Sequence, residues 1–223
     1  TTADFAFALL MAAARRIPEA IRYVEEGRWK TWGPTLLMGQ DIHGATLGLV
    51  GLGRIGSEVA RRATGFEMRI LYYDIVCRED LEKKLGLTFV DLDTLLQESD
   101  FVSLHLPLTK GTYHLIGPRE LDLMKPTATL ISTSRGPVVD QRALYEALRS
   151  GQITAAGLDV TDPEPIDLHD PLLSLDNCTV VPHIASASVA ARTKMATMAA
   201  QNLIAGLKGE MPPHWVNPEL FGR

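Results

Sequence analysis

The sequence predicts an α/β chain: a doubly wound parallel sheet with helices on both faces, a helical arm before it and a helical tail after it. Three observations carry that expectation. From Ala45 onward, short apolar runs without polar alternation recur along the chain, the pattern of strands buried on both faces. Amphipathic stretches separate most of them, so consecutive strands are joined by helices. Such crossovers are right-handed, which leaves an open doubly wound sheet as the arrangement. Composition agrees, since 46% of the 223 residues are hydrophobic and 22% charged, enough apolar content for a sizeable core.

Residues 3–26 read as two helical stretches. Phe5 to Ala14 is apolar all round, which calls for burial between partners rather than a solvent face. Pro18 restarts the helix at a first-turn position and Gly27 ends it. Arg28 to Gly44, with Trp29 and Trp32, has no clear period and reads as an extended arm or crossing loop. Candidate strands follow at 46–50, 68–73, 100–105, 127–132, 153–159 and 178–181, with helical patterns near 54–64, 91–98, 118–124 and 140–149. A long final helix is expected from about Ser186 to Lys208, its apolar side carried by Val189, Ala196, Ala199, Leu203 and Leu207. Ser186 or Ser188 can cap its start, and Gly209 suits its end. The expected division is a helical arm over 1–44, an α/β domain over 45–185 and a helical tail over 186–223. No internal repeat or low-complexity segment interrupts it.

The formal charge of −5 and the scattered Lys and Arg argue against a nucleic-acid or membrane-surface partner. Phe5 to Ala14 spans ten residues, about half of what a bilayer crossing needs. No export signal is visible. Cys77 and Cys178 lie far apart with no CxxC pair, so a disulfide framework is not expected and a reducing cytoplasm fits. The chain opens on Thr-Thr-Ala-Asp without Met and reads as a piece of something longer.

The first strand runs into Gly51-Leu-Gly-Arg-Ile-Gly56 and then a helix. A GxGxxG run alone arises readily by chance, but strand, loop and helix in this order are what dinucleotide binding demands. Gly51 permits the tight turn, Gly53 lets the backbone approach a pyrophosphate, and Gly56 allows close helix packing. The helix N-terminus offers free N–H groups to the anion. Asp74 ends the second strand eighteen residues after Gly56, where a carboxylate accepts hydrogen bonds from the adenosine ribose. The same charge repels a 2′-phosphate, so NAD is expected over NADP, with Arg78 working in the opposite direction.

Three polar residues follow later strands: Arg135, Glu164 and His183. Each has a plain structural alternative: a solvated turn arginine, a loop glutamate between prolines, a satisfied histidine. Their convergence at one sheet edge favours chemistry. Arg135 can clamp a carboxylate, His183 can act as acid or base, and Glu164 can orient the imidazole and stabilise its charged form. His105 also closes a strand and is weighed more as a packing residue than as a cofactor neighbour. No His/Asp/Glu spacing suggests a metal site, and no Gly-x-Ser-x-Gly elbow suggests a serine hydrolase.

Together these segments resemble the D-isomer-specific 2-hydroxyacid dehydrogenases: Gly51-Leu-Gly-Arg-Ile-Gly56, Ser103-Leu-His-Leu-Pro-Leu-Thr109, Ser134-Arg-Gly-Pro-Val-Val-Asp140, Gly157-Leu-Asp-Val160 with Glu164-Pro165, and Pro182-His-Ile-Ala-Ser186. The arm and the tail look most like the glyoxylate/hydroxypyruvate reductase branch. The resemblance implies hydride transfer between a nicotinamide cofactor and a small 2-oxo or 2-hydroxy acid. It implies Arg135 on the substrate carboxylate, His183 as acid/base and Glu164 as its partner. Arg54 and Ile55 would contact the pyrophosphate. Pro107, Thr133, Ser134 and Asp159 would line the cofactor path, with Ala185 and Ser186 near the carboxamide. The segment after Gly27, with Trp29 and Trp32, looks built to lie across a second subunit in a two-fold dimer. The resemblance further implies that Trp32 projects toward the partner's substrate pocket, against the alternative that both tryptophans pack under their own arm. Members of this branch often use NADP and carry a basic or small residue at the position of Asp74. A substrate-binding lobe would lie largely outside these residues. Two alternatives keep the fold: 3-phosphoglycerate oxidation, and a dinucleotide-sensing corepressor.

Overall fold

Leucine-, valine- and isoleucine-rich runs too short for helices form seven strands, described here in a computed structural model covering residues 1–217. Residues 218–223 of the expected tail lie outside the described residues. The described residues form two compact units, Thr2–Ala185 and Thr1 with Ser186–Asn217.

In chain order the first unit contains α1 (Thr2–Ala14), α2 (Ile17–Glu25), β1 (Thr46–Val50), α3 (Arg54–Thr64), β2 (Arg69–Tyr73), α4 (Glu79–Leu85), β3 (Leu87–Phe89), α5 (Leu92–Glu98) and β4 (Phe101–Leu104). It continues with α6 (Pro118–Leu123), β5 (Thr129–Ser132), α7 (Gln141–Ser150), β6 (Ala155–Leu158) and β7 (Cys178–Val180). The strands are all parallel, in the order β3-β2-β1-β4-β5-β6-β7. The order reverses between β1 and β4, and their carboxyl ends open the crevice where ligands of such sheets bind. Adjacent side chains along each strand face opposite layers. Leu47 and Leu49 join the core under α1 and α3, whereas Val50, Val102 and Leu104 join the core formed with α5, α6 and α7.

Two elements differ from the sequence expectation. β3 and the short α4 before it were not expected. α4 is charged apart from Leu81 and Leu85; Gly86, at φ +70°, turns it directly into β3, and β3 has only three residues, so neither shows a period. The all-round apolar α1 buries Ala3, Ala6, Phe7, Leu10 and Ala13 on its own unit, against α3, β5 and β6, while Ala8 and Met11 stay exposed. α2 buries none of its residues, and Ile17, Ile21 and Val24 form an exposed apolar stripe one helix turn apart. The segment from Arg28 to Gly44 has neither helix nor strand.

The second unit is built on α8 (Val189–Leu207). It starts three residues later than Ser186 because Ser188 is the cap, accepting the Ala191 N–H at 3.1 Å. Its expected apolar side is exposed at Val189, Leu203 and Leu207, and Ala205 is its one buried residue among those described. Among the described residues no helix is long and apolar enough to cross a membrane.

Candidate active site

Gly51, at φ +96°, turns the chain sharply as it leaves β1. A Cβ there would press within 2.9 Å of the His105 carbonyl oxygen. At Gly56 a Cβ would overlap the Gly51 carbonyl oxygen, so only glycine lets α3 start this close to the loop. Gly53 caps α3 without a side chain, and space is open around it. Arg54 and Ile55 occupy the exposed first turn, whose leading N–H groups have no helical partners. That is the geometry of an anion cradle.

Asp74 follows β2 and is held from two sides. Its Oδ2 accepts the Leu52 N–H at 2.6 Å and its Oδ1 accepts the Ile75 N–H at 2.7 Å. These bonds fix the carboxylate beside the glycine loop with lone pairs left for hydroxyl donors. At the end of β5 Thr133 and Ser134 are buried, and the Thr133 Oγ1 has no hydrogen-bond partner among the described residues. Buried hydroxyls are rarely left so. An unpartnered hydroxyl, an open glycine cradle and an anchored carboxylate along one sheet edge fit a dinucleotide. Pro107 lies exposed just past β4, its carbonyl accepting the Thr112 hydroxyl.

The three catalytic candidates follow the carboxyl ends of β5, β6 and β7, which are neighbours in the sheet. Arg135 is exposed, and its Nη1 donates to the Ser134 carbonyl at 2.6 Å. His183 Nδ1 pairs with Glu164 Oε1, and both side chains remain open, at 46% and 41% exposure. That pairing leaves the Nε2 nitrogen of His183 available to a ligand. His183 sits at φ +51°, a conformation a non-glycine residue holds only when its surroundings enforce it. The enforcement comes from Asp159, which is buried at 1% exposure. Its carbonyl accepts the His183 N–H at 3.0 Å, while its carboxylate accepts the Ile184 and Ala185 N–H groups at 2.7 and 2.9 Å. Asp159 and Ala185, which the resemblance puts on the cofactor path, also form the clamp that sets the histidine backbone. Ser186 falls in the second unit.

A cleft of about 300 Å³ opens between Asp159, Glu164, Leu173, Val181 and His183. A larger one, about 480 Å³, lies at the amino ends of β5–β7, away from every expected site residue. His105 is the other histidine at this edge. Burial pushes it down to about 4, its Nε2 lies 2.9 Å from Ser103 Oγ, and its Nδ1 is unpartnered among the described residues. It is therefore neutral near pH 7 and has no proton to offer as an acid. Among the described residues no cluster of His, Cys, Asp or Glu is arranged to hold a metal.

Residues 7–185 match the family described as "D-isomer specific 2-hydroxyacid dehydrogenase, NAD binding domain". A glyoxylate reductase of Korarchaeum cryptofilum is 62% identical over 221 residues, which is 99% of this chain and 67% of that protein. The glyoxylate reductase of Thermococcus litoralis is 52% identical over 224 residues, again 99% of this chain and 67% of the relative. Among solved structures, the TT0316 protein from Thermus thermophilus superposes with a TM-score of 0.90 at 48% identity, covering 96% of this chain and 67% of that one. A D-lactate dehydrogenase from Aquifex aeolicus complexed with NAD and lactic acid gives 0.84 at 35% identity, over 94% and 66%.

Proposed function

The chain belongs to the D-isomer-specific 2-hydroxyacid dehydrogenase family, and from that premise we propose that it carries the cofactor site and the proton-transfer group of an NAD-dependent reductase of glyoxylate or hydroxypyruvate. The observation that carries the reading is the His183–Glu164 pair, held in place by Asp159 at the same sheet edge as the glycine cradle. Identity of 62% and 52% to proteins named glyoxylate reductase supports the substrate class.

In this reading Gly51, Gly53, Arg54, Ile55 and Gly56 bind the pyrophosphate and Asp74 the ribose. Pro107, Thr133, Ser134, Asp159, Ala185 and Ser186 belong to the remaining cofactor path. When bound, NADH supplies the hydride that reduces the 2-oxo carbon. Glu164 holds the Nδ1 side of His183, so the proton on Nε2 points away from it and passes to the substrate oxygen. Arg135 swings off the Ser134 carbonyl to pair with the substrate carboxylate and to stabilise charge building on the oxygen. The free Cys77 and Cys178 suit a reducing, cytoplasmic setting, and the exposed α2 and arm suit a homodimer.

The test is NADH consumption by the full-length protein over glyoxylate, hydroxypyruvate, pyruvate and 3-phosphohydroxypyruvate. The first two are expected to show the highest kcat/KM. His183→Asn should lower turnover by roughly 10² to 10⁴ with NADH affinity little changed. Wild-type turnover in that variant would remove His183 as the acid. Preference for the phosphorylated acid would move the substrate, and NADH binding without turnover would favour a sensor.

A further inference from the structure

The turn after β2 and the first turn of α4 hold an arginine–carboxylate pair, Arg78 and Asp80, that the reaction does not use. Arg78 lies four residues beyond Asp74, and its backbone is pinned. The Arg78 N–H donates to the Tyr72 hydroxyl at 2.8 Å, and that hydroxyl donates to Glu82 Oε1 at 3.2 Å. The same Glu82 oxygen accepts the Phe89 N–H at 3.1 Å. Tyr72 is fully buried, so the Arg78 backbone, α4 and the end of β3 are tied to one buried hydroxyl, and the Arg78 side chain is not part of that network. That side chain is engaged: its Nε and Nη2 donate to the two carboxylate oxygens of Asp80, both at 3.0 Å. The fork so occupied is the one a phosphate would take.

In dinucleotide folds an arginine near the end of the second strand accommodates the 2′-phosphate of NADP. We infer that Asp80 is a cofactor-specificity residue: by holding the Arg78 fork it withholds the cation that a 2′-phosphate needs. The inference rests on the dinucleotide reading of this site. Asp74 and Asp80 then exclude NADP in different ways. The Asp74 carboxylate, fixed by the Leu52 and Ile75 N–H groups, repels the phosphate directly. Asp80 competes for the phosphate's partner. The pair is solvent-exposed, 39% at Arg78 and 65% at Asp80, so the competition is modest and reversible.

Dissociation constants for NADH and NADPH, from nucleotide fluorescence titration of the full-length protein, decide the matter across Asp80→Asn, Arg78→Ala and the double variant. Asp80→Asn should tighten NADPH by about two- to fivefold, the exchange value of one exposed ion pair, and leave NADH unchanged. Arg78→Ala/Asp80→Asn should show no gain over Arg78→Ala. An unchanged NADPH constant in Asp80→Asn overturns the inference, as does a gain that survives removal of Arg78, which would mean charge removal alone. Failure of the unsubstituted protein to bind either nucleotide would instead overturn the cofactor site, and the inference with it.

Discussion

Asp159 shows how much of a site one side chain can organise. Two backbone N–H groups of the segment after β7 end on its carboxylate, and a third ends on its carbonyl. Together they hold His183 at φ +51° facing Glu164. Asp159→Ala leaves both N–H groups without their acceptor, a loss of about 1–3 kcal/mol for each buried group left unsatisfied. We expect kcat to fall at least tenfold while KM for the 2-oxo acid changes less, together with a lower melting temperature. Wild-type kcat in a correctly folded variant would show that the histidine loop holds its own shape. His183, Glu164 and Arg135 were legible in the sequence because each follows an apolar run. The clamp was not, because it depends on the register that sets Leu158 beside Val180, which no local pattern encodes. Tyr72 was hidden for a similar reason: it reads as one more apolar strand residue, and its hydroxyl acquires partners only when α4 and β3 pack beside it.

Among the elements, the glycine loop and α3 were readable because strand, turn and helix leave distinct signatures in adjacent residues. The helix runs Arg54–Thr64, as its pattern indicates. α4 escaped because its run Glu79–Leu85 is charged apart from Leu81 and Leu85 and so shows no apolar face, and β3 because three residues are too few for a period. α5 and α7 showed as helical patterns near 91–98 and 140–149, and the structure adds their caps: the Asp91 and Asp140 carboxylates accept the Thr94 and Ala143 N–H groups at 2.9 and 3.0 Å. The close seating of α3 on the loop has a measurable consequence. In Gly56→Ala the new methyl would overlap the Gly51 carbonyl oxygen, so the helix must shift away from β1. An overpacked contact of this kind costs about 1–3 kcal/mol, and the displaced N-terminus loses its aim at the pyrophosphate. Thermal unfolding should drop and the NADH dissociation constant should rise about tenfold or more. Tight NADH binding by a fully folded Gly56→Ala protein would mean that the cradle does not depend on this approach.

At the scale of the whole molecule, one continuous segment presents apolar groups that its own unit leaves uncovered. Ile17, Ile21 and Val24 on α2 are 46%, 53% and 54% exposed, and beyond them Trp29, Trp32 and Met38 are 59%, 79% and 64% exposed. The alternative in which both tryptophans pack beneath their own arm does not match these exposures. An uncovered surface of this kind marks a contact with another chain or lobe, and large aromatics are favoured anchors in such contacts. The chain spans about two thirds of the length of its relatives, so part of the segment is available to a further lobe. The rest suits a two-fold partner, the commonest closed arrangement, and in that arrangement Trp32 is proposed to reach the partner's substrate pocket. Trp32→Ala in the full-length protein separates packing from trans contribution when mass in solution and steady-state kinetics are read on the same sample. A dimer that persists with altered preference between glyoxylate and hydroxypyruvate is the expected result. Unchanged kinetics in an intact dimer would confine Trp32 to packing, and a monomeric unsubstituted protein would remove the partner subunit from the argument altogether.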